Sequence, residues 1–221
     1  FTVNIVADDG SGNPGALIGS AIYPGQPPNS GFAPLSFLPS FSNDVNLTAN
    51  SEIELATAVP SATLGGLTFV NPSLTLTVNS VDGGQLLTFT GDVSLSTANN
   101  TINTTGNANV SLEGLISGGS GSLAKTGNGT LTVSGANSYT GLTRVDGGTF
   151  ILAGPSNNDS GIRGDITVNS GGTFRLNADN RIINSSDITV NVGGIFDANS
   201  RVDAIGNLSG GGDIMLGTGT L

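Results

Sequence analysis

The chain has no cysteine, no histidine and no tryptophan in 221 residues, and its only lysine is Lys125. Without cysteine, disulfides and thiolate metal sites are excluded, although exported bacterial proteins often avoid cysteine too. Without histidine, acid–base chemistry is left to carboxylates, one lysine and five arginines. Six basic residues stand against sixteen acidic ones, a net charge of −10. That is too few cations to displace counterions from a phosphate backbone or to hold an anionic bilayer surface. No nucleic-acid partner and no membrane insertion of this segment are expected. No apolar run reaches the roughly 18 residues of a spanning helix. No signal peptide is visible, and Phe1 opens directly into TVNIV, which reads as a mature or trimmed start. Charged residues make up only 10%, so Ser, Thr and Asn must clothe the surface, which suits an extracellular protein better than a cytosolic one.

Glycine is abundant, at 35 residues. Disorder is not the reading, because Val, Ile, Leu and Phe recur at alternate positions and disordered chains lack that apolar supply. Two near-copies of one phrase, DITVNSGGTF at 165–174 and DITVNVGGIF at 187–196, lie 22 residues apart. Nine of thirteen positions are identical through Asn177 and Asn199. A fixed period of this length marks a solenoid, in which each repeat buries its apolar face by stacking on the next. The alternation within each repeat is that of a strand. The fold class expected is all-β: a single-stranded, right-handed parallel β-helix with about three strands per coil. Dividing the chain by about 22 gives roughly eight to nine coils, a rod of roughly 40 Å at the spacing of stacked strands.

Gly-Gly recurs at Gly147–Gly148, Gly171–Gly172 and Gly193–Gly194, and two residues after each pair stands Phe150, Phe174 or Phe196. Glycine supplies corners with positive φ, and the phenylalanines in register are expected to stack as an internal aromatic ladder. Ile166 with Ile188, and Val168 with Val190, are expected to form an aliphatic ladder beside it. Asp165 and Asp187 precede these strands and mark the turn outside.

Residues 1–45 differ from the rest. Six of the nine prolines fall there (Pro14, Pro24, Pro27, Pro28, Pro34, Pro39), and proline belongs at edges and turns. Open solenoid ends template aggregation and need atypical capping repeats. Residues 1–45 therefore read as an N-terminal cap and Pro-rich wrap, with a helical turn over Ala16–Ile22, and 46–221 as the β-helix. TVNIVADDGSGNPGALIGSAI also resembles the cap motif of bacterial and chlamydial surface β-helix proteins, in which a strand and an acidic Gly turn lead into a Leu-containing helical turn. It departs where Ile18 replaces the Arg usual beside the Leu. Between 45 and 118 the repeat is degenerate. The closing GGGDIMLGTGTL shows no cap, which reads as a fragment of a longer polypeptide.

Candidate chemistry is sparse, and no catalytic, cofactor or metal residues are assigned. Polysaccharide lyases on β-helices use Arg or Lys as base and Asp-held calcium. Here Arg175, Arg181 and Arg201 lie near Asp179, Asp197 and Asp203. One coil apart, however, Arg175 aligns with Asp197 and Arg181 with Asp203, so salt bridges between neighbouring coils are the natural reading. Asp8-Asp9-Gly10-Ser11-Gly12-Asn13 is rich in oxygen but lacks the distal bidentate Glu of a calcium loop. Lys125-Thr126-Gly127 has neither the order nor the helix of a phosphate loop. Tyr139 reads as a corner-packing ring rather than a sugar platform. The sequons at Asn46, Asn103, Asn109 and Asn207 follow from composition.

The segment GSGSLAKTGNGTLTVSGANSYTGLTRVDGGTF at 119–150 resembles the autotransporter-associated β-strand repeat of secreted passenger domains. Gly121, Leu123, Lys125, Thr126, Gly127, Gly129, Thr130, Leu131, Thr132, Ser134, Gly135, Ala136, Asn137, Tyr139, Thr140, Gly141, Thr143 and Val145 match the family phrase, and LEGLIS (Leu112–Ser117) sits where the family places the preceding strand. The resemblance covers about one seventh of the chain. It implies a β-helical stalk at the bacterial cell surface or outside the cell, and it does not imply a catalytic activity. The functional expectation is a structural and adhesive rod, with a glycan or host-surface ligand as possible partner. The alternative is a self-assembling fibre whose ends stack head to tail.

Overall fold

The computed structural model describes residues 5–8, 14–19, 44–57, 60–154 and 161–221. The chain is an all-β parallel solenoid of about seven turns with three sheets, and the described residues contain no helix. The first sheet stacks Ser51–Leu55, Thr75–Ser80, Asn99–Thr105, Ser122–Gly127, Thr143–Val145, Ile166–Val168, Ile188–Val190 and Leu208–Gly210 in parallel. The second stacks Ser61–Leu64, Leu86–Phe89, Asn109–Leu112, Thr130–Val133, Gly148–Leu152, Gly172–Leu176, Ile195–Asp197 and Asp213–Met215. The third has four strands, Val45–Leu47, Leu67–Phe69, Val93–Ser94 and Ile116–Ser117.

Alternation explains these strands. Ser51–Leu55 buries every other residue from Ser51, and Thr75–Ser80 does the same from Leu76. Four of the six buried residues are aliphatic and the other two are Ser51 and Ser80, while the outward ones are Glu, Thr and Asn, so each strand lays one face on the axis. Neighbouring coils keep these faces in register. On the second sheet the column runs Ala62, Leu87, Val110, Leu131, Phe150, Phe174, Phe196, Ile214. From Ala62 through Phe196 every member is buried.

Coil length varies while the register holds. Leu76 pairs with Ile102, and Lys125 pairs with Val145. The extra residues go into corners. Long early coils among the described residues go with a count of about seven turns rather than the eight to nine obtained by dividing the whole chain. The third side also changes along the axis. Beyond Ile116–Ser117 it is held by isolated bridges, Ile116 to Asn137, Ile162 to Ile182 and Val202 to Thr220. LEGLIS spans a corner: Leu112 closes one strand and Ile116–Ser117 forms the next.

At the N-terminal end Ile5–Asp8 pairs antiparallel with Ser51–Leu55, and Pro14–Gly19 pairs antiparallel with Ile5–Asp8. The helical turn expected over Ala16–Ile22 is therefore replaced by a strand through Gly19. Gly15 and Gly19 disfavour a helix there, and pairing with Ile5–Asp8 supplies backbone partners instead. Residues 20–22, and Asp9 to Asn13 of the oxygen-rich turn, lie outside the described residues. So does most of the Pro-rich wrap.

Candidate functional site

The rings of Phe150 and Phe174 lie 5.2 Å apart between centroids with planes 10° from parallel, and those of Phe174 and Phe196 lie 5.8 Å apart at 7°. Strands in a sheet are about 4.8 Å apart, so near-parallel rings at these distances are offset, the arrangement their quadrupoles favour. All three are fully buried. On the first sheet Ile166 pairs with Ile188 and Val168 with Val190, again buried.

The two glycines of each corner pair do different work. Gly171 and Gly193 take φ of 83° and 82°, where a side chain would be strained. Gly172 and Gly194 face the coil before them: a Cβ at Gly172 would lie 2.5 Å from the Val145 carbonyl oxygen, and one at Gly194 would lie 2.7 Å from that of Val168. In the first pair the positive φ falls on Gly148, at 62°, which begins its strand, while Gly147 has no such conformation.

The turns outside are tied by side chains. Asp165 accepts from the Asp187 N–H at 3.0 Å, and Asp187 accepts from the Asn207 N–H at 2.7 Å. On the outer face of the first sheet the Asn169 amide donates to Asp146 at 2.6 Å and the Asn191 amide to Asn169 at 2.7 Å. These chains run along the axis, one coil per step.

Lys125 occupies an unexpected place. It stands between Ile102 and Val145 in an inward column, fully buried. Its ammonium donates to the carbonyls of Thr126 at 2.7 Å, Gly127 at 2.9 Å and Gly147 at 3.1 Å, which uses all three protons. Burial lowers its pKa from 10.5 to about 8. Strand parity carried this signal, because in SLAKTG an inward Leu123 makes Lys125 inward as well. Tyr139 is fully buried, its hydroxyl 2.7 Å from the Thr143 Oγ1, and burial pushes its phenol well above the usual range. It presents no face to a sugar.

The arginines and aspartates weighed for lyase chemistry do not converge on a cleft. Arg175 pairs with Asp197 at 3.5 Å on the surface. Arg181 is fully buried, and its guanidinium reaches across two coils to the Gly135 carbonyl at 2.9 Å. Asp203 is also buried, accepting the backbone N–H groups of Arg181 at 2.8 Å and Ile182 at 3.2 Å. Burial lowers the Arg181 pKa, opposed by the Asp203 charge. Burial raises that of Asp203, against hydrogen bonds from three backbone groups. Arg201 and Asp179 sit one coil apart on the same side, where Asp179 accepts from the Val202 N–H at 3.0 Å. Among the described residues no group of three or more Asp or Glu could hold a metal ion, and no helix is long and apolar enough to cross a membrane.

The densest of these features fall in one stretch: Lys125 with its carbonyls, Leu131 beneath Phe150, Tyr139 on Thr143. Residues 123–152 match the passenger-associated-transport-repeat family. With the solenoid around it, this stretch fits an autotransporter passenger β-helix repeat. No curated protein and no solved structure matches the chain. The passenger repeat spans two rungs of both main sheets, Ser122–Gly127 with Thr143–Val145 and Thr130–Val133 with Gly148–Leu152. Its family is associated with autotransporter passengers, which suggests a surface or extracellular location.

Proposed function

We propose that this chain is a rigid, non-catalytic segment of a surface-displayed or secreted autotransporter-type passenger, acting by holding adhesive loops or faces away from the cell. The observation that carries this reading is the passenger repeat at 123–152 embedded in a parallel solenoid, with inward columns passing through it from both sides. In-register stacking suits a stalk, since load along the axis is shared by every inter-coil hydrogen bond. The buried state of Arg181, Asp203 and Lys125 supports a scaffold over an enzyme, because none of the three can meet a bulky substrate.

The test fuses the chain to an outer-membrane export barrel in a non-adherent bacterium. Surface labelling together with binding to host cells or immobilised neutral glycans is the expected result. Efficient display with no gain in binding to any surface would remove the adhesive part of the reading. Release of unsaturated sugars from acidic glycans would remove the non-catalytic part.

A fibre subunit is the second reading, since parallel strands stacked along one axis can also pair end to end between copies. Negative-stain microscopy over a concentration series separates the two, since short rods support the stalk and long filaments the fibre.

A further inference from the structure

The third side holds an irregularity that the display function does not use. Its inward column runs Val45, Leu67, Val93, Ile116, and then meets Asn137. The Asn137 side chain is 2% exposed, and neither its Oδ1 nor its Nδ2 has a hydrogen-bond partner among the described residues. Its backbone is engaged, with the carbonyl accepting from Arg163 Nε at 3.0 Å. The carboxamide alone is left over, and a buried amide without partners is costly enough that nearly all such groups find protein or water.

A second shortfall lies two residues on. Tyr139 and Thr143 are fully buried and their hydroxyls are 2.7 Å apart. Two hydroxyls carry two protons, and one bond between them uses one. Neither oxygen makes another hydrogen bond among the described residues, so one O–H proton lacks an acceptor whichever way the pair is oriented. Asn137 and Tyr139 are both inward, with exposed Ser138 between them, which puts their backbone positions about 6.6 Å apart along an extended chain. Both side chains therefore enter the same interior from one short stretch of chain. A carboxamide is also smaller than the isoleucine in the rung before it, and a water needs only about 30 Å³.

We propose that this coil binds one buried structural water, held by the Asn137 carboxamide and accepting the spare proton of the Tyr139–Thr143 hydroxyl pair. The water satisfies both the amide and the spare hydroxyl, and it stands where the third sheet ends. The proposal is independent of the adhesive reading.

A high-resolution crystal structure of the chain tests it directly. One ordered water within hydrogen-bond distance of Asn137 and of either hydroxyl oxygen is expected. Dry density there, or the Asn137 amide turned onto a protein partner, overturns it. Melting of Asn137→Leu is the second readout. If the water is bound, leucine expels it and strands the hydroxyl proton, so the melting temperature falls by several degrees. If the amide is a dry orphan, leucine raises the melting temperature, and the proposal fails.

Discussion

Lys125 is the residue whose chemistry departs furthest from its sequence context. Burial strips water from its ammonium by more than the three carbonyls return, so the folded chain holds the proton less tightly than the unfolded chain does. With a folded pKa of about 8 against 10.5 unfolded, the unfolded state binds more protons between those values. Stability therefore rises with pH across that window, by at most about 3 kcal/mol for the full shift. Tyr139 acts in the opposite sense: its buried phenol keeps its proton above pH 10, where the unfolded one ionises, so stability falls beyond that point. The expected profile is a melting temperature that climbs from pH 7 to near pH 10 and then drops. A Lys125→Met variant should lose the climb and keep the drop. A flat wild-type profile would show that the carbonyls fully offset desolvation. The Phe column gives a second expectation at this scale. Phe174→Ala should cost about 3–5 kcal/mol, as for other buried aromatic truncations, and Phe174→Asp more, since it places a charge between two rings. Denaturant midpoints read both, and an unchanged midpoint for the aspartate variant would refute the stack.

Among the elements, the corners separate two roles that a Gly-Gly pair hides. Gly171→Ala meets no atom but must hold φ at 83°, a penalty of about 1–2 kcal/mol. Gly172→Ala has no such strain but drives a Cβ into the Val145 carbonyl, and relief requires two coils to part, typically about 1–3 kcal/mol. The larger loss is expected at Gly172, measured by urea unfolding of the two variants. Corners and strands of the 165–196 repeats were legible because period-two alternation is intact there and the phrase occurs twice. Lys125 was legible by parity, yet its charge argued for the surface, and only the carbonyl cage reconciles the two. The three-sided plan was legible, but not where the third side thins. A bridge of one or two residues leaves no alternation to read, so among the described residues sharp repeats in the C-terminal half coexist with isolated bridges on that side. The helical turn expected from Ala16 is a strand as far as Gly19, because pairing with Ile5–Asp8 outweighs the local preference of a short apolar run. Arg181 and Asp203 were aligned correctly one coil apart, but nothing in the sequence told a surface ion pair from a buried guanidinium.

For the molecule as a whole, each coil touches mainly its neighbours, the Arg181 to Gly135 bond across two coils being an exception, so stability is close to a sum of local terms. Phe174→Ala is expected to weaken amide-exchange protection in coils from Phe150 onward and to leave Ser51–Leu112 unchanged. Uniform loss along the axis would instead reveal one cooperative unit. The variable coil length has a wider consequence. Successive rungs are 26 residues apart at Ile102 and 20 at Val145, yet the inward columns never slip. The grammar of the fold thus separates what must be kept from what can be rewritten: two short inward phrases per turn are fixed, and the words between them are free to lengthen. Such a chain can take up an insertion at a corner that no packed glycine closes, so its outline can diversify while its stacked interior is kept.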